Sequence, residues 1–162
     1  MNHHINLRQS LSIIYLLKVD LKVNILLLLT PKGKLKYLES DDTARQGLEK
    51  MRYTGFTAIP VIEPKTGVYV GTISEGGFLW EIVDKINNNP LKRLEDVSLV
   101  ELIDPSKYKS VNVETSLDEL VLLIMNQNFV PVVDDRNVFM GIVTRRAVID
   151  YYYTNRNQHD GE

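Results

Sequence analysis

The residues of this 162-residue chain best placed to do chemistry are cationic. Thr144-Arg145-Arg146 opens a segment with helical spacing, so two guanidinium groups fall in the first turn of a predicted helix. Positive charge there opposes the helix dipole at ~0.3 to 1 kcal/mol per residue, and the two like charges repel. A bound anion reverses the sign, because a helix N-terminus offers free N–H groups and an arginine fork suits phosphate oxygens. An earlier segment reads Ser74-Glu75 at the equivalent place, a hydroxyl cap followed by a carboxylate that suits the dipole with no ligand at all. In Pro31-Lys32-Gly33-Lys34-Leu35-Lys36, Lys34 and Lys36 share a face if the stretch is extended. They either bring charge to the same place or protect a solvated sheet edge. Phe56-Thr57-Ala58-Ile59-Pro60 adds a ring able to stack on a planar base, beside a proline that cannot complete a strand ladder.

Much other chemistry is excluded. There is no cysteine, which removes disulfides, thiolate metal sites and thiol nucleophiles and is compatible with a reducing cytoplasm. The histidines are His3, His4 and His159, all in terminal segments, so the body of the chain has no imidazole for base catalysis or metal binding. Asp41-Asp42 and Asp134-Asp135 stand where caps and turns want aspartate, and neither reads as a catalytic dyad. No Gly-x-Gly-x-x-Gly or Gly-Lys-Ser/Thr loop is present. A net charge of −2 gives no reason to expect nucleic acid. The apolar runs before residue 30 are broken by Lys18, Asp20 and Lys22, too short to span a membrane and without the pattern of a secretory signal.

The elements that must position these residues come from one unit written twice. Phe56-Thr57-Ala58-Ile59-Pro60-Val61-Ile62 leading to Val70-Gly71-Thr72-Ile73-Ser74 returns as Phe129-Val130-Pro131-Val132-Val133 leading to Met140-Gly141-Ile142-Val143-Thr144. Upstream, Ala44, Gly47, Leu48 and Met51 return at Leu117, Leu120, Val121 and Ile124 with the spacing of one helix face. The first unit predicts a strand at 35–38, a helix capped by Asp42 or Thr43 and running to about Tyr53, strands at 57–62 and 68–73, and a helix from Glu75. The second predicts a strand near 108–113, a helix at 116–126, strands at 129–133 and 138–143, and a helix from Arg145. The expected organisation is an N-terminal extension over 1–30, a first repeat over 31–90, a connector with one short helix over 91–104, a second repeat over 105–155 and a tail over 156–162.

Strand, helix, strand, strand, helix, with Pro-Val in the first paired strand and Gly-x-x-Ser/Thr leading into the last helix, resembles the cystathionine-β-synthase (CBS) domain. Two in tandem resemble the Bateman module, an α+β fold with pseudo-symmetric repeats. The resemblance implies a regulatory module without catalysis or cofactor, whose clefts take adenine nucleotides and which often dimerises into a disc. Gly55 to Val61 together with Gly141-Ile142-Val143-Thr144-Arg145-Arg146 is similar to stand-alone bacterial CBS pairs that bind cyclic di-AMP (c-di-AMP) and, without it, engage a partner such as the (p)ppGpp synthetase. The implied ligand residues are Lys34, Leu35, Lys36, Phe56, Thr57, Ala58, Ile59, Pro60, Thr144, Arg145 and Arg146. Phe56 then stacks on adenine and Lys34 faces phosphate.

The departures matter as much. The family's Gly-x-x-Thr/Ser-x-x-Asp ends in a carboxylate that grips both ribose hydroxyls of a mononucleotide, but the positions here are Gly77 and Ala147. A cyclic dinucleotide has its 3′ and 5′ oxygens tied into phosphodiesters, so it offers no free diol to such a clamp. The expectation is therefore a cytoplasmic homodimeric nucleotide sensor, with Phe78, Trp80, Tyr151 and Tyr152 on the dimer face. The competing expectation is a degenerate pair that serves only dimerisation or protein interaction, with an enzyme a distant third.

Overall fold

A computed structural model describes residues 24–88 and 93–159, so the expectations for residues 1–22 lie outside the described residues. Each unit is built as the repeat predicts. Helix α1, Ala44–Thr54, starts at a capping box in which the Gln46 N–H donates to the Thr43 hydroxyl and the Thr43 N–H donates to the Gln46 carboxamide. It ends at Gly55, whose φ of 68° is the left-handed cap geometry glycine adopts without strain. Helix α3, Leu117–Ile124, is capped by the Ser116 hydroxyl, which accepts the Glu119 N–H. Two antiparallel hairpins follow these helices: β3, Ala58–Ile62, with β4, Tyr69–Ser74, and β6, Phe129–Val133, with β7, Phe139–Thr144. Each runs straight into a helix, α2 over Glu75–Asn88 and α4 over Arg145–His159. Ser74 and Thr144 cap them, accepting from the Gly77 and Ala147 N–H groups at 3.1 Å.

The remaining strands are only two residues long. β1, Thr30–Pro31, pairs with β7, while β2, Leu38–Glu39, and β5, Val111–Asn112, pair in parallel with the ends of β3 and β6. The sheet orders are β1-β7-β6-β5 and β2-β3-β4. The strand expected at 35–38 is thus displaced, and Lys32–Lys34 forms a 3-10 turn, so Lys34 and Lys36 do not share a strand face. The connector holds two 3-10 turns, Leu94–Asp96 and Leu99–Leu102, rather than one helix.

The central strands are buried on both faces, and alternation divides their side chains between two cores. Ile59 and Val61 face the helices of the first unit, and Val130 and Val132 those of the second. Ala58, Ile62, Phe129 and Val133 turn the other way, into a seam between the units shared with Tyr69, Phe139 and Ile142. At the hairpin-turn end the seam is closed by bonds across it: the Tyr69 N–H donates to Asn137 O and the Phe139 N–H to Gly67 O, both at 2.9 Å.

Each unit's core is completed from outside the repeat. Val97, Leu99 and Leu102 of the connector pack into the first unit, while Ile25, in the 3-10 turn Ile25–Leu28 that leads towards that unit, packs into the second. Glycines admit these segments: a Cβ on Gly47 would strike Leu99, one on Gly71 would strike Ile103, and one on Gly141 would strike the Thr30 carbonyl. Residues 24–31 therefore act as part of the second unit's structure rather than as an extension. Of the expected dimer face, Phe78 is core at 1% exposure, and Tyr151 and Tyr152 pack against the second unit. Trp80 stands out at 66%, with Leu79 and Leu48 exposed on the neighbouring helix surface.

Shortening the chain tests this packing. A chain starting at Val23 should denature as the full chain does, whereas one starting at Lys32 should lose cooperative unfolding of the second unit. Ile25→Ala, measured by urea denaturation, should cost ~2 to 5 kcal/mol.

Candidate functional site

β2 covers β3 only at Val61 and Ile62, so the edge of β3 from Ala58 to Pro60 has no strand beside it on that side. Proline suits the position because it has no N–H to leave unpaired. Opposite this edge, across the seam, the start of β6 meets the end of β7. Between them lies a cleft of about 200 Å³ lined by Leu35, Lys36, Phe56, Thr57, Ala58, Pro60, Asn128, Phe129, Ile142 and Thr144. The floor is apolar, from Leu35, Ala58, Pro60, Phe129 and Ile142, and the polar side chains are Lys36, Thr57, Asn128 and Thr144. Phe56 is 46% exposed, a ring at the cleft and not in the core.

Most of the site expected from sequence is thereby brought together by both units. Four of its members do not line the cleft. Ile59, at 1% exposure, points into the first unit's core by strand alternation. Lys34 is exposed on its 3-10 turn and does not line the cleft. Arg145 donates from Nε to Ile124 O at 2.8 Å and from Nη2 to Gln127 O at 3.1 Å. The guanidinium therefore caps the C-terminal end of α3, where a cation is favourable. Charge misplaced for its own helix is well placed for the neighbouring one, and the dipole conflict at Arg145 does not need an anion to resolve it. Arg146 remains exposed, its Nε 3.5 Å from Asp150 one turn along α4.

Sequence reasoning missed Asn128, Phe129 and Ile142. The repeat carried the signal for Asn128: the offset of 71 that aligns Pro60 with Pro131 aligns Thr57 with Asn128.

The same repeat defines a counterpart cleft on the other flank, and there the residues differ in kind. The register of β2 and β5 makes Tyr108 the counterpart of Leu35, and Phe129 is that of Ala58. Two large rings replace a leucine and an alanine, and they pack together with centroids 5.4 Å apart. Gln127, the counterpart of Phe56, is buried at 4% exposure; its carboxamide donates to the carbonyls of Lys109 and Phe129 at 3.0 Å and accepts the Lys109 N–H. Burial raises the pKa of Tyr108, with the Arg145 charge pulling it back, and that of the seam's Tyr69 to about 12, so both rings are neutral at ordinary pH.

The family model for the CBS domain matches residues 29–84 and 100–154. The chain belongs to the CBS domain family. As a CBS pair it is similar to CbpB from Streptococcus agalactiae, with 25% identity and a TM-score of 0.68 over 82% of this chain and 80% of that one. It is similar in fold to CbpB in complex with c-di-AMP, at 23% identity and a TM-score of 0.72 over 94% of this chain and 96% of that one. Similar in fold too is CBSX2 in complex with AMP, at 22% identity and a TM-score of 0.64 over 80% and 95%. No curated protein matches the chain. Among the described residues no helix is long and apolar enough to cross a membrane.

The two arginines of this CBS pair should separate in a melting experiment. Arg145→Ala leaves carbonyls at the end of α3 without their charged donor and should lose ~1 to 3 kcal/mol of stability. Arg146→Ala should leave the melting temperature nearly unchanged.

Proposed function

We propose that this CBS pair is a regulatory sensor of c-di-AMP, holding one ligand per chain in the cleft that contains Thr144. The observation that carries the reading is the composition of that cleft: an apolar floor for a base, edged by Lys36, Thr57, Asn128 and Thr144, with Phe56 beside it. At its counterpart the rings of Tyr108 and Phe129 pack together. A volume of about 200 Å³ is below the ~300 to 1,000 Å³ of sites for drug-sized ligands. One nucleoside half then enters, and the other lies at the surface, where it alters what a protein partner meets. Ala147 and Gly77 offer no carboxylate to the diol of AMP, which favours the cyclic dinucleotide. Lys36 and Arg146 serve the phosphates, and Arg145 holds the helix start in place from behind. The structure of CbpB with c-di-AMP supports the ligand class, and the resemblance to c-di-AMP-binding pairs supports a ligand-controlled partner such as the (p)ppGpp synthetase.

The regulatory reading includes a homodimer in the cytoplasm. Trp80, Leu79 and Leu48 leave apolar surface on the first unit, beside a groove of about 570 Å³ lined by Met51, Phe78, Ile82 and Leu94 among others. Soluble proteins seldom leave such surface uncovered. Leu79→Arg should shift sedimentation from dimer to monomer.

Calorimetry against AMP, ADP, ATP, S-adenosylmethionine, c-di-AMP and c-di-GMP tests the ligand. Only c-di-AMP should bind, saturating at one per chain, and Arg146→Ala should weaken it by roughly tenfold to a hundredfold. Glu75→Ala should leave the affinity unchanged. A flat response to the whole panel moves the reading to a module that serves only protein interaction.

A further inference from the structure

Four polar side chains edge the cleft, and they differ in what they can still do. The Lys36 ammonium only donates. The Thr144 hydroxyl already accepts the Ala147 N–H at 3.1 Å, which leaves it a proton to donate and one further lone pair. Both suit phosphate oxygens, which only accept. Thr57 stands on the first unit's side, where its carbonyl accepts the Glu75 N–H.

Asn128 is different. Its backbone carbonyl accepts the Arg145 N–H at 2.9 Å, which fixes the residue next to Thr144 where α4 begins. Its side chain is exposed at the cleft, and the carboxamide makes no hydrogen bond among the described residues. Gln127, one residue earlier, spends its carboxamide on Lys109 and Phe129. Asn128 thus keeps a whole carboxamide free to donate and accept, at the second unit's edge of the cleft beside Thr144. In a cyclic dinucleotide the 3′ and 5′ oxygens are esterified, and the sugar's one hydroxyl is at the 2′ position. It too donates and accepts.

We propose that Asn128 binds the 2′-hydroxyl of the ribose in this cleft and makes the protein selective for a ribonucleotide ligand. The proposal rests on the nucleotide reading above and adds a specificity-determining residue to it. The 2′-deoxy analogue of c-di-AMP is the probe. The wild-type protein should bind it about tenfold more weakly than c-di-AMP, and Asn128→Ala should bind c-di-AMP about tenfold more weakly with no further loss on the analogue. Asn128→Thr, which keeps a group that donates and accepts, should restore part of the discrimination, and all three proteins should melt alike. If Asn128→Ala discriminates between the two ligands as the wild type does, the assignment is overturned. It is equally overturned if the substitution instead erases preference for c-di-AMP over c-di-GMP, since the side chain then reads the base. Failure of the wild type to bind either adenine ligand would overturn the nucleotide reading itself, a result distinct from normal binding by the variant.

Discussion

Ile25 and Leu99 belong to segments that close hydrophobic cores from outside the repeat, and the segments are exchanged. Residues 24–31 lead towards the first unit yet lie on the second, where Thr30 pairs with Ile142 of β7 and Ile25 is almost wholly buried among Val130, Val132 and Val143. The connector leads towards the second unit yet fills the first, with Leu99 against Gly47 and Ile103 against Gly71. The second unit's core is incomplete without a segment that precedes the first unit in the chain. The cleft made jointly by the edge of β3 and the start of β6 lies along the seam where the halves are also joined directly, by a shared core and by backbone bonds between the hairpin turns.

Within that frame, small differences between the copies decide which flank is open. The backbone is nearly the same twice, down to the irregularity between Val61 and Ile62 and between Val132 and Val133. What differs is side-chain volume and hydrogen bonding: Leu35 and Ala58 against Tyr108 and Phe129, and the free ring of Phe56 against the buried, fully bonded Gln127. On one flank two rings pack together and Gln127 is buried with its carboxamide bonded internally. The other keeps apolar surface open to solvent, edged by polar groups that water satisfies until a ligand replaces it.

The long elements could be read from the residues because repetition and periodicity agreed there. Helices α1 and α3 and both hairpins fall within a residue or two of expectation, and Thr43 does cap α1. The two-residue strands could not be read. Leu38–Glu39 and Val111–Asn112 are too short for alternation to show and exist because β3 and β6 are there to receive them. Burial on both faces also hid orientation: nothing in Ala58-Ile59-Pro60 says which side chain meets the cleft and which meets the helices. Phe78 and Leu79 stand at neighbouring positions with opposite fates, one core and one exposed, which depends on where the connector sits. Arg145 shows the limit most sharply. Its partners are carbonyls more than a dozen residues away, and reasoning confined to its own helix assigned its charge to a ligand.

The exchange of closing segments also orders events during synthesis. Residues 24–31 leave the ribosome before either repeat, but their partners on β7 are the last strand of the fold. The connector can seal the first unit as soon as Leu102 has emerged, giving that unit a core of its own. The N-terminal segment must wait until Val143 is available, with Ile25 exposed for most of translation. Contacts of such sequence separation form slowly. The nascent chain therefore passes through a state with one finished unit and an unplaced apolar strand, and the cleft comes into existence only at the final docking step.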